Sequence, residues 1–100
     1  MAKAKANMVP VLITTEFRGV FFGWADESTL HDDTITLKDA RNCIYWTSSV
    51  GGFAGLAEAG PLDGCRIGAQ VGTMQLRKIT SVCMCTDDAA KRWKEFACIS

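Results

Sequence analysis

The chain has 100 residues, of which 48% are hydrophobic and 22% charged, and its eleven basic and eleven acidic residues cancel to zero net charge. This size and composition predict one folded domain with one core, and they are typical of neither a disordered nor a membrane-embedded chain. The zero net charge argues against coating nucleic acid by neutralising its phosphates, so no bulk nucleic-acid binding is expected.

Residues 1–8 contain two lysines among alanines and show no hydrophobic periodicity, which predicts a flexible tail before one domain at residues 9–100. The segment lacks the apolar stretch of a secretory signal, and no apolar run approaches the ~18 residues of a spanning helix. We therefore expect a cytoplasmic protein without a membrane partner.

The next two segments predict an antiparallel hairpin whose second strand is the central strand of the sheet, while Pro10 places the first near an edge or marks its beginning. Residues 9–16 are rich in β-branched side chains, with Val11 and Ile13 on one face and Leu12 on the other. Residues 16–24 hold four aromatic side chains and two glycines, and each glycine would cost a helix interior about 1 kcal/mol. Arg18 at the mouth of this strand is either a surface cation or a contact for an anionic ligand.

A polar loop at 26–33 follows, with four acids and the single histidine, His31. One histidine in such a segment is more typical of a solvated loop than of a general base. Residues 34–37 alternate like a half-buried strand, 38–42 are polar, and 43–46 resume the pattern. These pieces predict either a hairpin or one long, bulged strand.

A small, hydroxyl-rich loop at 47–52 leads into a predicted short helix at 52–59, which Gly60 and Pro61 terminate. If Ser49 or a neighbouring residue caps this helix, backbone amides, hydroxyls and the helix dipole would meet at one place and favour an anion. The candidate residues are Ser48, Ser49, Gly51 and Gly52. The same residue types are common in any loop, and the P-loop lysine is missing.

The C-terminal third predicts two more strands and a helix. A glycine-interrupted strand at 65–71 carries Arg66, and a long strand at 74–86 changes its alternation near 77–78, which predicts a bulge. Thr86 is a suitable N-cap, and apolar side chains then recur at helical spacing, so we predict an amphipathic helix at 87–98 that packs on the sheet.

The five cysteines form no CxxC pair. Cys83 and Cys85 share one face of a strand, and we interpret them as core thiols. Since a zinc site needs four ligands and the only histidine is remote, no metal and no cofactor are expected.

The sequence RGVFFG at 18–23, with Gly60-Pro61 and the sequence CRIG at 65–68, resembles small phage proteins of uncharacterised function. One class of such proteins comprises oligomeric decoys that sequester nucleotide immune signals without cleaving them. This resemblance implies a host-cytoplasmic, anti-defence role in which arginines and aromatic residues at subunit boundaries hold phosphate and base. It does not assign individual residues.

Together these patterns predict an α+β fold, mainly an antiparallel β-sheet with a short middle helix and a C-terminal helix. The apolar surface exceeds what one sheet and one helix cover, so a homo-oligomer is expected. The first functional hypothesis is a non-enzymatic binding protein for a small anionic or nucleotide ligand, and the alternative is a structural or protein-interaction module. Phosphate contacts and stacking favour Arg18, Arg66, Trp24 and Trp46 as binding residues, beside the loop candidates.

Overall fold

A computed structural model describes residues 7–16, 19–46, 50–62 and 64–97 of the chain. Within these ranges the protein is an antiparallel β-sheet with two helices, which confirms the predicted α+β class. No helix in these ranges is long and apolar enough to cross a membrane. The strands are β1 (Met8–Thr15), β2 (Gly19–Asp26), β3 (Ile35–Tyr45), β4 (Arg66–Ile67), β5 (Val71–Leu76) and β6 (Ile79–Met84), and the helices are α1 (Gly52–Glu58) and α2 (Asp87–Glu95).

The strand order is β4-β3-β2-β1-β6, and β5 pairs with β3 beside β4. β2 is thus the central strand, as its aromatic and β-branched content predicts. β1 and β2 form the expected antiparallel hairpin, in which Thr15 faces Gly19. The predicted alternation in β1 is also confirmed, because Val11 and Ile13 belong to one hydrophobic cluster and Leu12 to the other.

β3 is one long, bulged strand, the second of the two predicted alternatives. Its pairing with β2 shifts register between Phe22 and Trp24, and Asp39 at the irregularity has a φ of 50°. The bulge places Leu37 and Ala40 on the same side of the sheet although three positions separate them. It also turns Lys38 and Arg41 toward the opposite side, where the helices pack.

The segment predicted as one strand at 74–86 is instead two strands, and that prediction was wrong. β5 pairs with β3 and β6 pairs with β1, at opposite edges of the sheet, although only Arg77 and Lys78 separate them. Lys78 turns the chain with a φ of 57°. Such a short connection between opposite edges requires the sheet to curl, and this curl closes a cluster of side chains from β1, β2, β3, β5 and β6, which we call the sheet-side cluster.

The other face of the sheet carries the helices over a second core, the helix-side cluster. Trp93 of α2 lies fully buried there, stacked on Phe22 with ring centroids 5.1 Å apart and planes 4° apart. Its indole Nε1 donates a hydrogen bond of 3.0 Å to the carbonyl of Leu56 at the end of α1. The two helices and the central strand are therefore joined through one tryptophan.

Both chain ends differ from the predicted boundaries. Met8 already belongs to β1, and the side-chain amide of Asn7 donates a hydrogen bond of 2.7 Å to the carboxylate of Glu27. The flexible tail predicted for 1–8 therefore does not extend to these two residues. α2 begins after the predicted N-cap, Thr86, whose hydroxyl accepts from the Ala89 amide at 3.0 Å. The helix ends at Glu95 rather than at residue 98, because Phe96 has an extended backbone.

Candidate functional site

The helices cover only part of their side of the sheet, and a cleft lies beyond the C-terminal end of α2. Trp24 of β2 lies half-buried in this cleft, and its ring lies at 78° to the ring of Phe22 with a centroid distance of 6.4 Å. The volume of the cleft is about 330 Å³, which lies near the lower end of the range for small-molecule sites. The Trp24 cleft, as we call it, is lined by Met8, Phe22, Trp24, Lys38, Asp39, Gln70 and Lys94.

Arg41 fixes the end of α2 that borders the cleft. Its side chain is 4% exposed. Its Nη1 donates hydrogen bonds of 2.9 Å to the carbonyl of Trp93 and 2.5 Å to the carbonyl of Phe96. Its Nε donates a hydrogen bond of 2.9 Å to the carbonyl of Gly68 in the β4–β5 connection. A cation at the last carbonyls of a helix also complements the helix dipole. Arg41 therefore joins three cleft-forming segments, and Lys94 is carried on one of them.

Two lysines give the cleft a local positive charge. Lys38 of β3 and Lys94 of α2 are both exposed. The Nζ of Lys38 donates a hydrogen bond of 3.1 Å to the hydroxyl of Thr73 in β5. Asp39 contributes the one carboxylate among the lining residues that the structure describes, and these residues carry two cations and one anion. An indole beside two ammonium groups provides a stacking surface and charge for a ligand with an aromatic ring and an anionic group.

The predicted binding residues within the described part of the chain do not converge on one site. Trp24 lies in the cleft opposite Lys38, whereas Arg66 pairs with Tyr45 at the far end of β3. Seven residue steps separate Lys38 from Tyr45, which at about 3.3 Å per residue is roughly 23 Å. Trp46 follows Tyr45 and packs half-buried against the helix-side cluster. A ligand bound at Trp24 therefore does not reach Arg66 or Trp46 unless it is much larger than a nucleotide.

Arg66 lies instead in a shallow surface depression, which we call the Tyr45 surface. It is formed by Ile44, Tyr45, Gly64 and Arg66. Ile44 and Tyr45 are 52% and 53% exposed. An apolar pair of this exposure beside an arginine is more typical of a protein contact than of an enclosed ligand site.

The predicted anion site at the start of α1 lies partly outside the described residues, as do Ser48, Ser49 and Arg18. The N-cap of α1 is Gly51, with a φ of 88° and no side-chain cap hydrogen bond, so no serine hydroxyl caps this helix. Gly52 is the first helical residue. Positive φ values at both positions explain the glycines, because other side chains are strained there.

The sequence patterns did not identify Lys38, Lys94 and Arg41 as a group. The first and third lie in the polar segment 38–42, which resembled a strand break, and Lys94 lies on a helix face that resembled ordinary solvated surface. The change of parity between Leu37 and Ala40 was the available signal, since it implies a bulge that turns Lys38 and Arg41 toward the helices.

The cysteines contribute to the core. Cys43 and Cys65 are buried, whereas Cys83 and Cys85, the pair interpreted from the sequence as core thiols, are only partly buried and pack against the helix-side cluster. Burial, with Cys65 nearby, raises the pKa of the Cys43 thiol from 9.0 to about 12. Burial beside Cys83 raises the pKa of the Cys85 thiol to the same value, about 12. Both thiols are protonated at neutral pH. In the described part of the chain, no group of three His, Cys, Asp or Glu side chains is arranged to hold a metal ion.

The fold and the cleft thus define an α+β protein with a curled antiparallel sheet and an open cleft of mixed aromatic and cationic lining. A family model described as a domain of unknown function, DUF6948, matches residues 8–93. Because the match covers most of the chain, the protein belongs to this family. The matched range includes Trp24 and Lys38 and ends one residue before Lys94. Comparisons with curated proteins and with solved structures give no significant match.

Proposed function

We propose that the protein binds a small anionic ligand with an aromatic ring, such as a nucleotide, in the Trp24 cleft. The observation that supports this proposal is the position of Lys38 and Lys94 beside the half-buried indole of Trp24 in one cavity. Stacking on an aromatic ring contributes about 1–3 kcal/mol per nucleobase and depends little on the base. Two lysines then add attraction for a phosphate that weakens with salt.

Rigid elements hold these three side chains, which favours binding. Trp24 and Lys38 lie on adjacent, hydrogen-bonded strands, and the end of α2 that carries Lys94 is held by Arg41. A preformed site binds a ligand at a lower entropic cost than one that must be ordered. In this proposal the ligand is held without cleavage, and the protein sequesters it as an oligomeric, phage-encoded decoy in the host cytoplasm.

Isothermal titration calorimetry with adenosine 5′-monophosphate and a panel of cyclic nucleotides tests the proposal. The double variant Lys38→Met/Lys94→Met should bind at least about tenfold more weakly, which corresponds to a loss of about 1.4 kcal/mol shared by two charge contacts. Trp24→Leu should also weaken binding, and it should remove the change in tryptophan fluorescence that a ligand stacked on this indole is expected to cause.

The matched control for the single variant Lys94→Met is Lys91→Met, which removes one positive charge from an exposed position of α2 that does not line the cleft. Its affinity should equal that of the wild type. If Lys91→Met weakens binding as much as Lys94→Met does, the lysines act only through net charge and the proposed site is wrong. Recovery of intact nucleotide after denaturation distinguishes sequestration from cleavage.

The second candidate function is a protein-interaction module that acts through the Tyr45 surface. The exposure of Ile44 and Tyr45 beside Arg66 favours it. A second copy of the chain on this surface would give a homo-oligomer, which native mass spectrometry detects. Ile44→Lys should then produce monomers, whereas an unchanged distribution of oligomer masses would show that this surface is not the interface of the oligomer.

A further inference from the structure

A second depression continues from the Trp24 cleft along the same side of the sheet. The two share Met8 and Lys38, and the second has a volume of about 410 Å³. We call it the threonine trough, because hydroxyl groups are its most frequent polar groups. It is lined by Met8, Asp26, Thr29, Asp32, Thr34, Thr36 and Lys38.

The trough follows one face of the chain leading into β3. Thr34, Thr36 and Lys38 alternate along the strand direction and therefore point to the same side. At about 3.3 Å per residue, Thr34 lies roughly 13 Å from Lys38. This length suits the sugar and neighbouring groups of one nucleotide-sized ligand.

The two depressions differ in charge: counting the shared Lys38 in each, the described lining of the Trp24 cleft has two cations and one carboxylate, whereas that of the trough has one cation and two carboxylates. The Trp24 cleft adds Lys94 and Asp39, whereas the trough adds the carboxylates of Asp26 and Asp32. Asp26 Oδ1 is held in place, since it accepts hydrogen bonds from the amide and hydroxyl of Ser28 at 3.0 and 2.9 Å. An anionic group is therefore attracted at one end of the combined groove and repelled at the other, while sugar hydroxyls can donate to carboxylates and exchange hydrogen bonds with threonines.

We propose that the ligand spans both depressions and is a nucleotide with phosphate at one end only. Its phosphate lies between Lys38 and Lys94, its base stacks on Trp24, and its uncharged sugar hydroxyls face the trough. Asp32 and Asp26 disfavour any ligand with a second phosphate on the sugar. This inference rests on the proposed function, because it assigns the orientation and the charge of the ligand at the same site.

The test compares two probes by calorimetry, adenosine 5′-monophosphate and adenosine 3′,5′-bisphosphate. The wild type should bind the bisphosphate at least about threefold more weakly despite its larger negative charge, since even one added charge about 5–6 Å from a carboxylate in water corresponds to a factor of this size and a phosphate carries about 1.5 to 2 charges at pH 7. Asp32→Asn should reduce this preference to about twofold or less. Asp33→Asn is the matched control, because Asp33 is an exposed neighbour outside both depressions and should leave the preference unchanged.

The outcomes separate this inference from the proposed function. Suppose that both probes bind and that their affinities depend on Lys38 and Lys94. If the bisphosphate then binds as tightly as the monophosphate or more tightly, the inference fails while the proposed function stands. Equal effects of Asp32→Asn and Asp33→Asn would also overturn the inference, since net charge alone would explain them. If neither probe binds, the proposed function fails and the inference falls with it.

Discussion

Replacing Arg41 with methionine should loosen the C-terminal end of α2 from the sheet. The guanidinium donates to the carbonyls of Gly68, Trp93 and Phe96, and each such bond contributes about 1 kcal/mol net, with more when the donor is charged. Methionine preserves much of the volume and removes the cost of burying a charge, but it leaves these carbonyls without their donor. We therefore expect a loss of about 3 kcal/mol, against a total of about 5–15 kcal/mol for a typical domain.

Urea denaturation followed by circular dichroism measures this loss, and hydrogen exchange locates it. Exchange should increase most at 87–96 and near Gly68, with smaller changes in β1 and β2. Arg77→Met is the matched control, because Arg77 is exposed in the β5–β6 connection and its replacement should change stability by less than about 0.5 kcal/mol. An Arg41→Met protein as stable as this control, with unchanged exchange in α2, would refute the role assigned to Arg41.

Three further predictions concern the core. Gly23→Ala should destabilise the protein by about 1–3 kcal/mol in urea denaturation, because a Cβ at that position would lie 2.8 Å from the Cβ of Leu37; a neutral effect would contradict the close packing of β2 and β3. Trp93→Leu should cost about 3 kcal/mol by removing the stack on Phe22, and an unchanged denaturation midpoint would contradict this. The pKa of Cys43 is raised by burial to about 12 in the folded protein, so the unfolded chain loses this proton at lower pH, and stability present below about pH 9 should fall by about 1 kcal/mol per pH unit as pH rises from about 9 to 12. Cys43→Ala should show a smaller fall between about pH 9 and 11, and identical slopes for both proteins would contradict the assignment.

Local sequence patterns were sufficient where neighbours along the chain determine the structure. The alternation of Val11, Leu12 and Ile13 predicts which side chain enters which cluster, since strand geometry leaves no other choice. The N-cap of α2 at Thr86 was predicted from the same kind of short-range signal. Such features depend on a few consecutive residues and can therefore be predicted before the fold is known.

The paths of β5 and β6 depend on the tertiary structure. The parity change near Lys78 is compatible with a bulge in one strand and with a turn between two strands, because both shift the alternation by one position. Only the curl of the sheet, which brings its opposite edges together at Arg77 and Lys78, distinguishes the two. No local propensity encodes that curl.

The candidate site was even less predictable, because distant segments assemble it. Of the predicted binding residues that the structure describes, Trp24 alone lines the cleft. Lys38 reaches it through a bulge, and Lys94 reaches it because Arg41 holds the end of α2. Charged residues in polar segments give no sign of such convergence, since most of them are solvated.

The most direct test of the central claim is a titration of the ¹⁵N-labelled protein with adenosine 5′-monophosphate, followed by two-dimensional NMR. Binding in the Trp24 cleft predicts the largest shift changes at the indole N–H of Trp24 and at the amides of Lys38, Gln70 and Lys94, all of which line it. Shift changes confined to the Tyr45 surface, or no changes at millimolar nucleotide, would contradict the claim that this cleft binds a nucleotide.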